Sequence, residues 1–191
     1  SRIMSSILKV DQLQDSGGNN LVTSNGSGVI TAAGFGKVGQ VVQTVYKSFL
    51  SLTLNNTYSQ ITGLNTNITP SSTSSKILYK VSVSNSVNNV APYTGFRITE
   101  GGTAISDAYG GVGGNRKQVS FSAGHLRNSS SAIEQNSFEY LHSPSSTSTL
   151  TYGLQVTAYN NREIRINQTV VDDANSGHTA VSTLTLMEIL P

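Results

Sequence analysis

A chain of 191 residues with a net charge of +2 and no cysteine can hold one domain with a real core plus an extension, and it has no disulfides to stabilise it. Charged residues are only 12% and hydrophobic ones 36%, while Ser, Thr and Asn fill roughly a third of the chain; with eighteen glycines, this composition suits an all-β protein with many turns. The few basic residues are scattered, so no nucleic-acid partner is expected. Without an apolar run of eighteen residues or a secretory core, neither membrane insertion nor Sec export is expected either.

The chain opens with Ile7, Leu8, Val10 and Leu13 in a short apolar run of mixed period, and Met4 is a candidate initiator. Residues 15–20, DSGGNN, form a turn cluster. Residues 21–33 carry weak strand signals broken by Asn25-Gly26 and Gly28. A lone hairpin of this size is marginal in water, so the segment reads as an arm that becomes ordered against another surface. Residues 32–39 are a glycine-rich joint. Gly34, Gly36 and Gly39 match the dinucleotide spacing, but a strand follows them, where pyrophosphate binding needs a helix N-terminus. The match is therefore a hinge, and the chain divides into an arm and joint, 1–39, and a main domain, 40–191.

The main domain begins with a long strand or bent pair over residues 40–54 and a hairpin tip at Asn55-Asn56. A second strand follows, with Ile61, Leu64 and Ile68 as core candidates. Residues 76–84 give the strictest alternation: Ile77, Tyr79, Val81 and Val83 share one face, and Leu78, Lys80, Ser82 and Ser84 share the other. That is a half-buried strand, since no helix groups those four apolar residues. Phe96 and Ile98 are expected to point inward, as are Val119, Phe121 and Ala123 beyond the long irregular stretch 101–117. Phe138 and Tyr140 share a face, and Leu150, Tyr152, Leu154, Val156 and Ala158 another. Asn160-Asn161 turns into a strand with Ile164 and Ile166 inward and Arg165 and Asn167 outward. The last strand, 180–190, is apolar on both faces, which suits a central strand or one capped by a neighbouring subunit. Eight to ten such strands and no convincing helix predict a β-sandwich, specifically a jelly roll.

Little points to catalysis or to a metal. His125, His142 and His178 lie far apart in or beside loops, without the paired spacing or cysteines of a metal site. His178 beside Asp172 and Asp173 is a candidate cation site, although a solvated polar loop explains the same residues. Glu134, Glu139 and Glu163 are scattered, and no G-x-S-x-G elbow occurs. A non-enzyme without a cofactor is expected. Tyr93, Tyr109 and Tyr159 lie at loops where rings either stack on sugars or cover the ends of a sandwich.

The opening MSSILKVDQLQDSGGNN, the Gly/Ala joint, residues 67–84, the YLHSPSSTS turn and the closing STLTLMEIL form one recognisable layout. In these stretches the chain resembles phage virion proteins, above all those of cyanophages and other marine phages. The resemblance implies a fibre, tail or capsid-decoration protein at the virion surface, with a C-terminal jelly-roll head similar to the C1q/TNF type and no catalytic residues. It implies a homotrimer whose N-terminal arm docks on other virion proteins of the capsid or tail. On that reading Ile7, Leu8, Val10 and Leu13 attach the arm, and Leu184, Leu186, Met187 and Ile189 form the trimer interface. The sequence carries no coiled-coil or repeat shaft, which favours a compact knob or a decoration (cement) protein. The alternative is a receptor-binding module that recognises host surface glycans through Tyr93, Tyr109, Arg116 and Arg162.

Overall fold

The computed structural model describes residue 10, residues 12–24, residue 26, the backbone of 30–32, and residues 37–87, 94–123 and 131–191. The chain divides into two compact units, Ser1–Lys37 and Val38–Pro191. The division falls where β-structure resumes at Val38, two residues before the expected start of the main domain.

The first unit is a small antiparallel sheet of β1 (Gln12–Gln14), β2 (Asn20–Ser24) and β3 (Ile30–Ala32), in that order. Its first turn is closed by Asp15, whose Oδ1 accepts the amides of Gly17 and Asn19 at 2.8 and 2.9 Å. Val10, Leu13 and Leu21 stay exposed, and isolated ribbons of this size are marginal in water. Ile7, Leu8 and the expected initiator Met4 lie outside the described residues, as do Gly34 and Gly36 of the joint.

The second unit contains β4 (Val38–Tyr46), β5 (Leu50–Leu54), β6 (Tyr58–Ile68), β7 (Lys76–Val87), β8 (Thr94–Glu100) and β9 (Thr103–Ala104). After a 3-10 turn at Ser106–Ala108 come β10 (Phe121–Ala123), β11 (Glu134–His142), β12 (Leu150–Thr157), β13 (Arg162–Ile166) and β14 (Ser182–Ile189). Register shows that several of these are halves of one longer strand. β14 and then β13 pair along the same edge of β7, with Thr183 opposite Ser82 and Ile166 opposite Asn85. β4 and β5 in turn pair with β14 and β13. β9 and β10 likewise share the edge of β8 that β12 leaves free.

Counted this way the described residues of the unit form eight strands: β4/β5, β6, β7, β8, β9/β10, β11, β12 and β13/β14. One sheet has the order first, eighth, third, sixth, and the other second, seventh, fourth, fifth. That interleaving of two antiparallel sheets is a jelly roll, as the alternation predicts. The core fills the space between the sheets with the residues that alternation places inward: Ile77, Tyr79, Val81 and Val83 against Phe96, Ile98, Leu154 and Val156. Along one edge the sheets are joined by the Thr44 hydroxyl, which donates to the Asn65 carbonyl and accepts from Thr66, both at 2.8 Å. Near that edge β6 bends at Gly63, where φ is +92° and a Cβ would meet the Tyr46 ring at 2.8 Å; only glycine fits there.

Two expectations about the last strands need correction. β14 does lie centrally, between β4 and β7, but Leu184 and Leu186 are fully buried core residues, so neither reaches a neighbouring subunit. Met187 and Ile189, on the opposite face, are only half-buried. Asn167, expected to face outward, is 0% exposed. Its φ of +63° breaks the strand's alternation and turns the side chain inward. There its amide donates to the carbonyls of Tyr46 and Ser48 at 2.8 and 3.1 Å and accepts from the Ser182 hydroxyl at 2.6 Å.

Candidate functional site

Register brings four separate pieces of chain to one end of the sandwich. Tyr58, at the start of β6, pairs with Thr157 at the end of β12, and Thr157 pairs with Gly95. Thr94 pairs with Ala123, and the Asn56 amide donates to the Ala158 carbonyl at 2.7 Å. Between these strand ends and residues 115–119 lies a cleft of about 650 Å³, within the range of small-ligand sites.

Its buried lining is Thr94, Gly95, Thr157 and Ala158, with Val119 partly covered. Val119 packs on Gly95 so closely that any Cβ at Gly95 would collide with it. The exposed lining is polar: Asn56, Asn115, Arg116, Lys117, Ser122 and Tyr159.

The segment that carries the two cations is tied down rather than draped. The Tyr58 hydroxyl donates to the Gln118 carbonyl at 2.7 Å, Lys117 Nζ donates to the Asn56 carbonyl at 2.8 Å, and Gln118 Nε2 donates to the Gly110 carbonyl at 3.0 Å. The Arg97 guanidinium lies 3.5 Å from the centroid of the Tyr58 ring, a cation–π stack. Burial raises the pKa of Tyr58, Arg97 opposes that rise and Tyr109 adds to it. Arg116 is held only by its own turn, Nη1 donating to the Gly113 carbonyl at 2.9 Å.

The opposite end of the unit holds a second polar cluster. His142 Nδ1 stands 2.7 Å from the Tyr152 hydroxyl and 3.3 Å from Glu100 Oε2. It joins β11 of one sheet to β8 and β12 of the other. Burial pushes the His142 pKa down, while the carboxylates of Glu100 and Asp107 partly restore it. Burial, and then Glu100, push the Tyr152 phenol up. Tyr152 is completely inaccessible, so the trio serves as a tie between the sheets.

Of the four expected glycan contacts Tyr93, Tyr109, Arg116 and Arg162, Arg116 lines the cleft, and so does Tyr159, the third ring expected either to stack on sugars or to cover an end of the sandwich. Tyr109 acts on Tyr58 from the same excursion, Arg162 is half-buried on β13 opposite Leu54, and Tyr93 lies outside the described residues. Asn56, Asn115 and Lys117 escaped the sequence reading: Asn115 and Lys117 flank Arg116 in the chain, but only long-range register brings Asn56 and the ends of β8 and β12 to that stretch. Around the candidate cation site, Asp173 is occupied by its own turn, accepting from the amides of Asn175 and Ser176 and from the Ser176 hydroxyl at 2.7–2.8 Å. Among the described residues no cluster of three or more His, Asp or Glu is arranged to hold a metal, and His125 lies outside them.

A third feature is the outward face of the sheet that contains β14. Leu141 lies opposite Leu78, Leu78 opposite Met187, and Met187 opposite Val41, an aliphatic row across four strands. Val41 is 55% exposed and Leu141 46%. The next row is polar, with the Lys80–Glu139 ion pair at 2.8 Å and Gln43 donating to the Thr185 hydroxyl at 2.6 Å. No protein-family model matches the chain, and no curated protein matches its sequence.

Proposed function

We infer that this is a non-enzymatic structural protein of a virion surface: a jelly-roll head that associates as a homotrimer and is tied to capsid or tail proteins through its N-terminal unit. The observation that carries the reading is the Leu141–Leu78–Met187–Val41 row, extended by half-buried Ile189 and exposed Val38. A contiguous aliphatic band on an otherwise hydroxyl-rich surface favours burial against another apolar surface, and closed symmetry lets a second and third copy of the same band supply it. The exposed Val10, Leu13 and Leu21 of the first unit suit a segment that gains stability only when docked. The virion setting rests on the sequence resemblance to phage virion proteins, and the C1q/TNF-like character of the head belongs to the same proposal.

Light scattering on the intact chain tests the association. The expected mass is three times the 20.2 kDa of the chain, falling to one chain mass in Met187→Asp and Leu141→Asp while both variants stay folded. A monomeric wild type, or a trimer indifferent to both substitutions, would overturn the role of this face.

A further inference from the structure

We propose that the cleft between residues 115–119 and the strand ends binds an acidic saccharide, a sugar unit carrying a carboxylate. Among the described residues the lining holds two cations and no carboxylate. Neither Arg116 nor Lys117 has an ion-pair partner among the described residues; their charged groups donate to backbone carbonyls, and Lys117 Nζ also lies 5.8 Å from the centroid of the Tyr58 ring. An anion entering here meets two uncompensated positive charges, one of them a guanidinium suited to bidentate carboxylate contacts.

The remaining lining chooses among anions. Asn56, Asn115 and Ser122 offer amide and hydroxyl groups for several ring hydroxyls, while Gly95, Val119 and Ala158 form an apolar patch for the C–H face of a pyranose. The half-exposed Tyr159 ring stands at the same cleft, the kind of side chain on which sugars stack. A site for a bare inorganic anion would need none of these. A second observation points the same way. Thr94 and Thr157 are 2% and 4% exposed, and their hydroxyls have no hydrogen-bond partner among the described residues, although buried polar groups are normally paired. Among the described residues four buried side-chain polar atoms are in that condition, and these two border this one cleft.

The site is independent of the self-association proposed above, since it lies on strand ends and not on the aliphatic face.

Isothermal titration of the intact chain with trigalacturonate, maltotriose and inorganic phosphate tests the proposal. Trigalacturonate is expected to bind at least tenfold more tightly than maltotriose, and less tightly as salt is raised. Arg116→Glu is expected to weaken that binding at least tenfold with no change in melting temperature, because the side chain is exposed and held only by its own turn. The Arg116→Ala, Lys117→Ala double variant is expected to do the same and guards against an effect peculiar to the introduced acid. Equal binding of maltotriose would overturn the preference for charge. Binding of phosphate alone would reduce the cleft to an anion site and overturn the saccharide. Failure of all three ligands to bind, or binding indifferent to both variants, would overturn the site itself.

Discussion

Glu188 shows how much a single buried carboxylate can organise. It occupies an inward position near the end of β14 and is 1% exposed, where burial alone would push its pKa up. Hydrogen bonds outweigh that: Gln40 Nε2 donates to Oε2 at 2.8 Å, and the Ser71 hydroxyl and amide both donate to Oε1 at 2.6 Å. The carboxyl is held at about 2, against an ordinary value of 4.5. A folded pKa below the unfolded one means that the unfolded chain takes up the proton first. The stabilisation is therefore complete above about pH 5, worth roughly 3 kcal/mol, and drains away as pH falls from about 4.5 toward 2. Glu188→Gln should cost a large part of that at pH 7. The gap between wild type and variant in urea unfolding should then shrink by roughly 2 kcal/mol at pH 3. A gap that is the same at both pH values would show that the carboxylate's charge is not what the Ser71 turn and Gln40 hold. His142 titrates in the same direction but higher: its lowered pKa makes folding weaken as pH falls below about 6.5. It contributes equally to both proteins and cancels from the comparison.

At the scale of elements, the distinctive devices are two excursions that interrupt strands without ending them. β13 and β14 occupy one edge of β7, and between them the chain leaves the sheet and returns. The Ala180 amide donates to the Asn167 carbonyl at 2.9 Å, and the Thr169 amide to the His178 carbonyl at 3.1 Å, closing a stem. β9 and β10 repeat the arrangement on β8, with the Ile105 amide bonded to the Ile98 carbonyl and the Ser120 amide to the Phe96 carbonyl. If the stem and Asn167 hold the excursion, its tip is dispensable. Replacing residues 170–177 by Asn-Gly should change stability by no more than about 1 kcal/mol, a few degrees in melting temperature. Asn167→Ala should cost about 3 kcal/mol or more, since it strands the Tyr46 carbonyl and the Ser182 hydroxyl inside the protein, removes the bond to the Ser48 carbonyl and puts alanine at positive φ. Asn167→Gly, which relieves the backbone, should recover only part. A tip replacement as damaging as Asn167→Ala would mean the excursion is integral to the sheet.

The same excursions mark where the sequence stops being legible. Alternation gives β7 and β12 almost residue for residue, because each has one face in the core and a period of two admits only one placement. It cannot show that residues 162–166 and 182–189 pair along one edge, since that fact lies in register with β7 and not in either segment. Asn167 fails for a related reason. Parity assigns it outward beside Arg165, but one residue in the left-handed region reverses the facing, and Asn is among the few types that accept it. The cleft was legible only at Arg116 and Tyr159, because its lining is assembled from segments that stand tens of residues apart in sequence.

For the whole molecule the question is which unit carries assembly. The head contains its own core and its own ties between sheets, and β4 begins at Val38, so deleting residues 1–37 removes no strand from either of its sheets. The shortened chain should melt cooperatively within a few degrees of the intact one. If association runs through the aliphatic row, it should also keep three chain masses in light scattering, and Met187→Asp should then reduce it to one. Should the shortened chain fold but fall to a monomer, the association belongs to the first unit, where Val10, Leu13 and Leu21 are exposed, and the sheet face would need another role. Should it fail to fold, the two units are not separable, and the picture of an attachment segment joined to an independent head is wrong. Mass and melting curve together separate these three outcomes, because one reports what the apolar band does and the other whether the head stands without its arm.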